Sequence, residues 1–579
     1  MLYHKVGWRL AVGGWLLLAW SGVWAQSLPD PAPELQRQER QRQELRQHLE
    51  AQPWSPGASI QPELTPQRLP EETPCVPIER VQLQGVLVFD ALHSALLGPN
   101  GTDSPVGRCL GEQGITLLIQ RAQQVLVEQG HITSQVHVPE QALEGGVLVL
   151  HIEEGRVARL RTAPEHTPVP QGAWALQEGQ ILNLRHIEQT SENLQRLPSL
   201  HSTIQIEPGQ APGTSDVVVQ MQAQRPWRVG FSLDNSGTRS TGKLQGNVTL
   251  SWDNPLGLAD LFYISLGRAL GNKDSGPRGS DNHMLHYSLP WGYWLLGLSL
   301  SNSSYQQTVV GPFASYVYSG TSSQRELSLQ RVLHRNGVSK TTASLKGFVR
   351  QSNNHIGDLE VLVQRRRTAG WEASIDHLYY LQESTFTGRL AYKRGTGAFN
   401  AQPNPEAQSN DNSVKRLHAM NGVLGWSKPF TLAKQAWQYN SQLQWQWNQS
   451  DMAPQDVFCL GGRSTVRGFD SQHTVCGDRG QLWRQELSTT VPPAWGFNSD
   501  TQFYLALDAG RTTTPDIDNG HYNRLSGFAL GLRGQNHWGL DNPVQWDVFV
   551  GTPWHTPEGF SAPNFEQHKE QIILLERFK

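Results

Sequence analysis

"QFYLALDAG", residues 502–510, alternates without a break. Phe503, Leu505 and Leu507 fall on one side of a period-two repeat, and Gln502, Tyr504, Ala506 and Asp508 fall on the other. Successive side chains of a strand point to opposite faces, so this stretch has an apolar face and a polar face that carries a carboxylate. "NVTLSW" (247–252) sets Val248, Leu250 and Trp252 against Asn247, Thr249 and Ser251. In "QLQWQWNQ" (442–449), Leu443, Trp445 and Trp447 oppose Gln442, Gln444, Gln446 and Asn448. "VQWDVFVG" (544–551) puts Trp546, Val548 and Val550 opposite Gln545, Asp547 and Phe549. Segments of about ten residues, apolar on one face, polar on the other and separated by turns, are the signature of a transmembrane β-barrel. A soluble sandwich also alternates, but it needs a second sheet and this region is too long for one. From Trp227 to the end run about 350 residues, and about 22 per strand and connection gives about sixteen antiparallel strands, an even number as closure of a bacterial barrel requires.

The chain ahead of Trp227 is of a different kind. Residues 1–25 read as a secretory signal peptide: Lys5 and Arg9 in the charged region, "LAVGGWLLLAW" as the apolar core, and "VWA" ending at Ala25 as the cleavage site. No other stretch approaches ~18 consecutive apolar residues, so any membrane crossing must be made by strands. The formal net charge of −3 gives no basic field for nucleic acid. Four cysteines fit an oxidising compartment, and pairing by neighbourhood, Cys75 with Cys109 and Cys459 with Cys476, is the simplest of the three connectivities. A metal site at Cys459, His473 and Cys476 would lack a fourth ligand, so no metal is expected.

Residues 26–51 contain "PELQRQERQRQELRQHLE" (33–50), with Pro33 at its start and then no Gly, Pro or β-branched residue, which predicts a helix. Arg37, Arg40, Arg42 and Arg46 are balanced by glutamates that include Glu39 and Glu44, and only Leu45 and Leu49 form an apolar i,i+4 pair. A helix polar on nearly every side is not a core helix; it is either solvated or rests in a wet, polar cavity. Residues 52–74 hold six prolines and no periodicity, an extended linker that could span roughly 70 Å. Two α+β units of one element order follow, at 75–155 and 156–226. In the first, "ERVQLQGVLVF" reads as a strand, "ITLLIQRAQQVLVEQG" as an amphipathic helix, and "ITSQVHV" and "GGVLVLHIEEG" as strands. In the second, "VARLRT", "LRHIEQTSENLQRLPS", "HSTIQIEPG" and "SDVVVQMQAQ" repeat that order.

Motifs of catalysis are missing or misplaced. "GTRSTGK" (237–243) has P-loop spacing, but Leu244 stands where Mg²⁺ needs a hydroxyl, and the stretch lies between two barrel strands; it reads as a hairpin turn. HExxH, GxSxG and CxxC do not occur, and the chain is not expected to be an enzyme or to need a cofactor.

The order of parts, together with "VRGF" (466–469) and the downstream "DAG" (508–510), resembles the two-partner secretion transporters. These are the TpsB proteins of the haemolysin-activator and filamentous-haemagglutinin transporter type, in the BamA-like superfamily. The resemblance spans essentially the whole mature chain. It implies that the two α+β units are periplasmic POTRA domains, that residues 227–579 form a sixteen-stranded outer-membrane barrel, and that the 33–50 helix plugs it. It further implies that the loop with Val466, Arg467, Gly468 and Phe469 runs back into the lumen, where Arg467 pairs with Asp508 of the wall motif that ends at Gly510. The guanidinium suits that role because it clamps a carboxylate bidentately. A Cys459–Cys476 bridge would restrain the base of this loop. The implied function is export of a large exoprotein (adhesin, haemolysin or contact-dependent toxin), bound in extended form by the POTRA domains, through a barrel that conducts ions when unplugged. The barrel would sit in outer-membrane lipid, be installed by the barrel assembly machinery and act as a monomer. An assembly factor that inserts other barrels is the competing reading; two POTRA repeats and an N-terminal helix favour the transporter. One departure is at the C-terminus: barrels of this kind commonly end on an aromatic residue, whereas here Phe578 is penultimate, before Lys579, and Glu576 interrupts the apolar face of Ile572 and Leu574.

Overall fold

The computed structural model describes residues 30–50, 68–98, 101–164, 168–271, 276–311, 313–403, 416–450, 452–491, 500–514, 522–536 and 544–557, and the backbone of 571–578. The signal-peptide reading, most of the proline-rich linker and the side chains of the last strand lie outside the described residues.

Sixteen antiparallel strands close into one barrel, from the first (Trp227–Asp234) to the last (Gln571–Phe578), with a two-residue piece at Leu359–Glu360 beside the seventh. Closure is direct: Ile573 pairs with Asp234 and Phe578 with Val229. The alternation is realised as two environments. In the second strand (Leu244–Asp253), Val248, Leu250 and Trp252 are exposed on the outer wall while Thr249 and Ser251 are buried. In the thirteenth (Gln502–Thr513), Leu505 and Leu507 face out while Tyr504, Ala506 and Asp508 are buried inside. An exposed apolar band around a polar interior is stable only with lipid outside and water within. Gly237–Lys243 lies in the connection between the first two strands.

The two α+β units follow one plan. The first is a three-stranded sheet in the order Arg80–Gln84, Val147–Glu153, Gln135–His137, covered by the helix Glu112–Glu128. The second has the order Arg156–Ala163, Thr214–Ala223, Leu200–Pro208, with the helix Leu184–Gln195. The sequence suggests one strand over 79–89; instead the strand ends at Gln84, Gly85 turns the chain at φ +133°, and a short helix runs Asp90–Leu96. Only a residue without Cβ turns there at low cost. The last linker residues pack on this unit. Leu69 joins its core, and the Glu72 carboxylate accepts from the backbone N–H groups of Gly111 (2.9 Å), Gln113 (2.8 Å) and Gly114 (2.7 Å), capping a helix whose own N-cap residue is a glycine.

The second unit is bolted to one rim of the barrel. Asn193 Nδ2 donates to the carbonyl of Gly292 (2.8 Å), Arg196 Nη2 to Ser288 Oγ (2.6 Å), and the backbone N–H of Ser199 to Asp253 Oδ2 (2.8 Å). Arg335 and Lys340, flanking the turn between the sixth and seventh strands, both pair with Glu192. An apolar joint of Ala173, Leu194, Leu197 and Met221 with Leu261, Tyr263 and Met284 completes the seat. These contacts define the near rim.

The helix Ala32–Glu50 lies inside the barrel. Asp30 Oδ1 accepts from the backbone N–H of Ala32 (2.9 Å), and the run without Gly or β-branched residues carries the helix on from there. Nineteen residues span about 28 Å, roughly the hydrocarbon thickness of a bilayer. Its first turns meet Thr241 and Gln455 in the connections at the far rim, while Glu50 reaches His286 (2.9 Å) and Leu45 and Leu49 pack at the near-rim joint.

Candidate functional site in the barrel lumen

The connection between the eleventh strand (Gln435–Asn448) and the twelfth (Arg479–Thr490) begins at the far rim and folds inward. Its base is a two-stranded ribbon, Phe458–Leu460 against Val475–Gly477, in which Cys459 and Cys476 are directly opposed and disulfide-bonded. Cys75 and Cys109 form the other disulfide, across the paired segments Val76–Ile78 and Arg108–Leu110 of the first α+β unit. Beyond the ribbon, Val466 and Phe469 bury themselves with Leu460, Leu482 and Leu525, an apolar foot in an otherwise polar lumen.

Arg467 is 5% exposed and makes the densest polar contacts of the loop. Its Nε donates to Asp508 Oδ2 (2.7 Å) and its Nη2 to Oδ1 (2.9 Å), a bidentate clamp, and its backbone N–H adds a third bond to Oδ2 (3.0 Å). Nη1 reaches a second carboxylate, Glu486 Oε2, at 2.6 Å. The network continues along the wall: Arg484 Nε lies 3.7 Å from Asp508 Oδ1, Arg533 Nη1 donates to Glu486 Oε1 (2.8 Å), and Tyr504 donates to Asp547 (2.8 Å) while lying under both Arg467 and Arg533. Three arginines thus face three carboxylates with no net charge left over. Such balance is needed for buried ions to be tolerable at all.

The backbone can come this close because the wall beneath it is glycine. A Cβ at Gly527 would lie 2.0 Å from the carbonyl oxygen of Arg467, and one at Gly551 would lie 2.7 Å from the nitrogen of Gly468. Gly468 itself has φ +106°, and a Cβ there would meet the carbonyl oxygen of Thr552 at 2.5 Å. Gly510 leaves room for the Leu460 side chain. Three neighbouring strands therefore offer a seat cut to the loop.

A second ion cluster holds the start of the loop against a different part of the wall. Asp456 Oδ1 accepts from Arg350 Nη1 (2.8 Å) on the seventh strand (Ser339–Ile356) and Lys393 Nζ (2.5 Å) on the ninth (Ser384–Thr396), all three buried. Arg467 is pinned to the twelfth and thirteenth strands, so the loop crosses the lumen and is clasped at both sides.

The helix leans on this loop and on the wall. Arg42 Nη1 donates to Ser301 Oγ (2.8 Å), and Arg46 Nη2 to Ser299 Oγ (2.6 Å) and Glu326 Oε2 (3.4 Å). Arg37 pairs with Glu34 of its own helix (2.6 Å), and Glu39 with Arg42 (2.6 Å). Arg40 donates to the carbonyl of Cys459, and Glu44 lies 3.5 Å from Arg463. Along most of its length the helix makes polar contacts. Beside these wall contacts an open space of about 710 Å³, bordered by Arg42 and Arg46, extends to a stretch of wall that carries Lys346, Glu372, Asp376, Arg389, Gln442 and Gln444.

Of the residues singled out from sequence, the structure brings together Arg467 and Asp508, both cysteine pairs, and Arg40, Arg42 and Arg46 of the helix with acceptors on the loop and wall, while Arg37 pairs within the helix. Glu486, Arg533, Asp456 and the seat glycines Gly527 and Gly551 escaped sequence reasoning. For Glu486 a signal existed: it shares the inward parity of Arg484 in the twelfth strand, where a carboxylate calls for a partner.

A sixteen-stranded barrel whose polar lumen holds its own helix and loop, with two α+β units at one mouth, has the build of an outer-membrane barrel of the transporter and assembly-factor class. The chain belongs to the haemolysin secretion/activation protein family ShlB/FhaC/HecB, whose model matches residues 213–534. A ShlB-type POTRA model matches 76–155 and a further POTRA model 160–208, which makes the two α+β units POTRA domains and the near rim periplasmic. Outer membrane transporter CdiB-2 of Burkholderia pseudomallei is 32% identical over 549 residues, 91% of each chain. Hemolysin transporter protein ShlB of Serratia marcescens is 26% identical, covering 86% of this chain and 84% of that one. Among solved structures, CdiB from Escherichia coli superposes with a TM-score of 0.82 at 26% identity, over 96% of this chain and all (100%) of that one. The protein is an outer-membrane transporter of the two-partner secretion type, and its family members are transporters.

Proposed function

We propose that the protein exports one large exoprotein from periplasm to cell surface and that the helix 32–50 is a removable plug. The observation that carries this reading is the chemistry of the plug. Four arginines and four glutamates, seated largely on hydroxyls, amides and carboxylates, exchange for water at far lower cost than an apolar helix would. The POTRA sheets end in edge strands, Arg80–Gln84 and Gln135–His137 in the first and Arg156–Ala163 and Leu200–Pro208 in the second. An extended exoprotein segment adds to such an edge through backbone hydrogen bonds that tolerate many sequences. The polar lumen then carries the chain across without desolvating its backbone. Folding of the exoprotein outside removes unfolded chain from the exchange and gives direction without a nucleotide. The transporter works as a monomer, and the barrel assembly machinery inserts it.

The test compares surface-displayed and released proteins from cells with and without this gene. Loss of one large exoprotein with other outer-membrane barrels unchanged is the expected result. Broad depletion of barrels would mean an assembly factor.

A further inference from the structure

We infer that the Cys459–Cys476 cross-link is a latch for the plug: it fixes the ribbon on which the helix is docked, and so governs plug retention although neither cysteine is in the plug. This inference rests on the plug reading above. The helix touches the lumen loop at three levels. Gln36 Nε2 donates to the carbonyl of Gln455 (2.9 Å), Arg40 donates to the carbonyl of Cys459, and Glu44 faces Arg463 at 3.5 Å. The central contact is made to a cross-linked residue itself, through its backbone, so this bond lasts only while the ribbon holds its position.

The ribbon is short, three residues a side; Leu460 seats one strand on the wall, but Gly461 and Gly462 follow it at φ +118° and +93°, so the backbone on that side is free to turn. Its far end is fixed: Arg484 donates to the carbonyls of Arg463 (3.1 Å) and Ser464 (3.0 Å), and Arg467 is clamped on the glycine seat. Its near end is fixed by Asp456. Between these two anchors the disulfide is the covalent element that sets where the Cys459 carbonyl points. A pocket between Pro33, Arg37, Arg40 and Gln41 of the helix and Gly461, Gly462 and Ser471 of the loop lets water reach the contact once it loosens. Loss of one charge-assisted hydrogen bond of this kind shifts a seated-to-unseated equilibrium by about tenfold.

The experiment uses the full-length protein purified in detergent, oxidised or treated with a phosphine reductant, beside the double variant Cys459→Ala/Cys476→Ala. Trypsin digestion read by mass spectrometry reports cleavage after Arg37, Arg40 and Arg42, and heat-modifiable migration certifies a folded barrel. The expected result is protection in the oxidised protein, and cleavage about tenfold faster in the double variant, which the reductant does not accelerate further. Equal protection in a folded double variant overturns the latch, and so does free cleavage of the oxidised wild type. Deletion of residues 33–50 separates this from the plug reading. Unchanged ion conductance on deletion, with cleavage still dependent on the disulfide, would leave the latch standing and remove the plug's role as a gate.

Discussion

Arg467→Ala is the substitution with the most to say about the lumen. The side chain closes a bidentate pair with Asp508 and a third bond to Glu486 in a site nearly shut from water. Removing one partner of a fully buried ion pair costs about 3–5 kcal/mol. Here the orphaned carboxylates keep some relief: Arg484 stands 3.7 Å from Asp508, and Arg533 remains on Glu486 at 2.8 Å. The expected loss is therefore about 2–3 kcal/mol, a shift of about 30- to 160-fold in the equilibrium between seated and released loop. The barrel's sixteen-strand ladder does not pass through this loop, so strand pairing should survive. Secretion of the exoprotein is the assay for function, heat-modifiable migration and surface proteolysis are the assays for the barrel, and Arg467→Lys is the discriminating companion. A lysine keeps the charge but not the fork, so it should recover only part of the loss. Lysine secreting as well as arginine would refute the bidentate argument. Equal loss of folded barrel and of secretion in the alanine variant would reduce the pair to a structural prop.

Deleting residues 33–50 should raise single-channel conductance in planar bilayers severalfold, since the helix fills the lumen beside the space of about 710 Å³; an unchanged conductance contradicts the plug. Asp456→Asn leaves Arg350 and Lys393 buried without a carboxylate between them, and should produce frequent brief openings in the same bilayer assay while Arg467 still holds the other end of the loop. The first POTRA domain should have an acid limb set by Glu72. Desolvation opposes ionisation there, but the amide donors of Gly114, Gln113 and Gly111 outweigh it and hold the carboxyl below the usual carboxylate range. A folded-state pKa below the unfolded one contributes stability that is present above about pH 4 and is lost as pH falls through the lower, folded value. Thermal unfolding of the full-length protein between pH 6 and 3 should show that loss, and Glu72→Gln should flatten it.

Much of this was legible because lipid and lumen act on alternate residues of the same strand. The parity of Leu505 and Leu507 alone sends Asp508 inward, with no knowledge of its neighbours. The polar helix was readable for the same reason, since it could not be buried in an apolar core. What escaped depends on depth and not on parity. How far the loop descends decides that Arg467 meets Glu486 as well as Asp508, and no local pattern encodes that. Gly527 and Gly551 look in sequence like any small inward residues; their meaning comes from the loop backbone resting on them. Asp456 pairs with residues 106 and 63 positions away, contacts fixed only once the barrel has closed. The break at Gly85 was visible as a glycine, but the helix Asp90–Leu96 is too short to leave a periodicity.

The direction of the plug has a topological consequence. Its leading end stands among the far-rim connections, on the cell-surface side, and its trailing end at the periplasmic POTRA joint. A segment held that way spans most of the membrane with its amino end toward the cell surface. An epitope grafted at Pro33 should therefore report from outside the living cell whether the helix occupies the lumen.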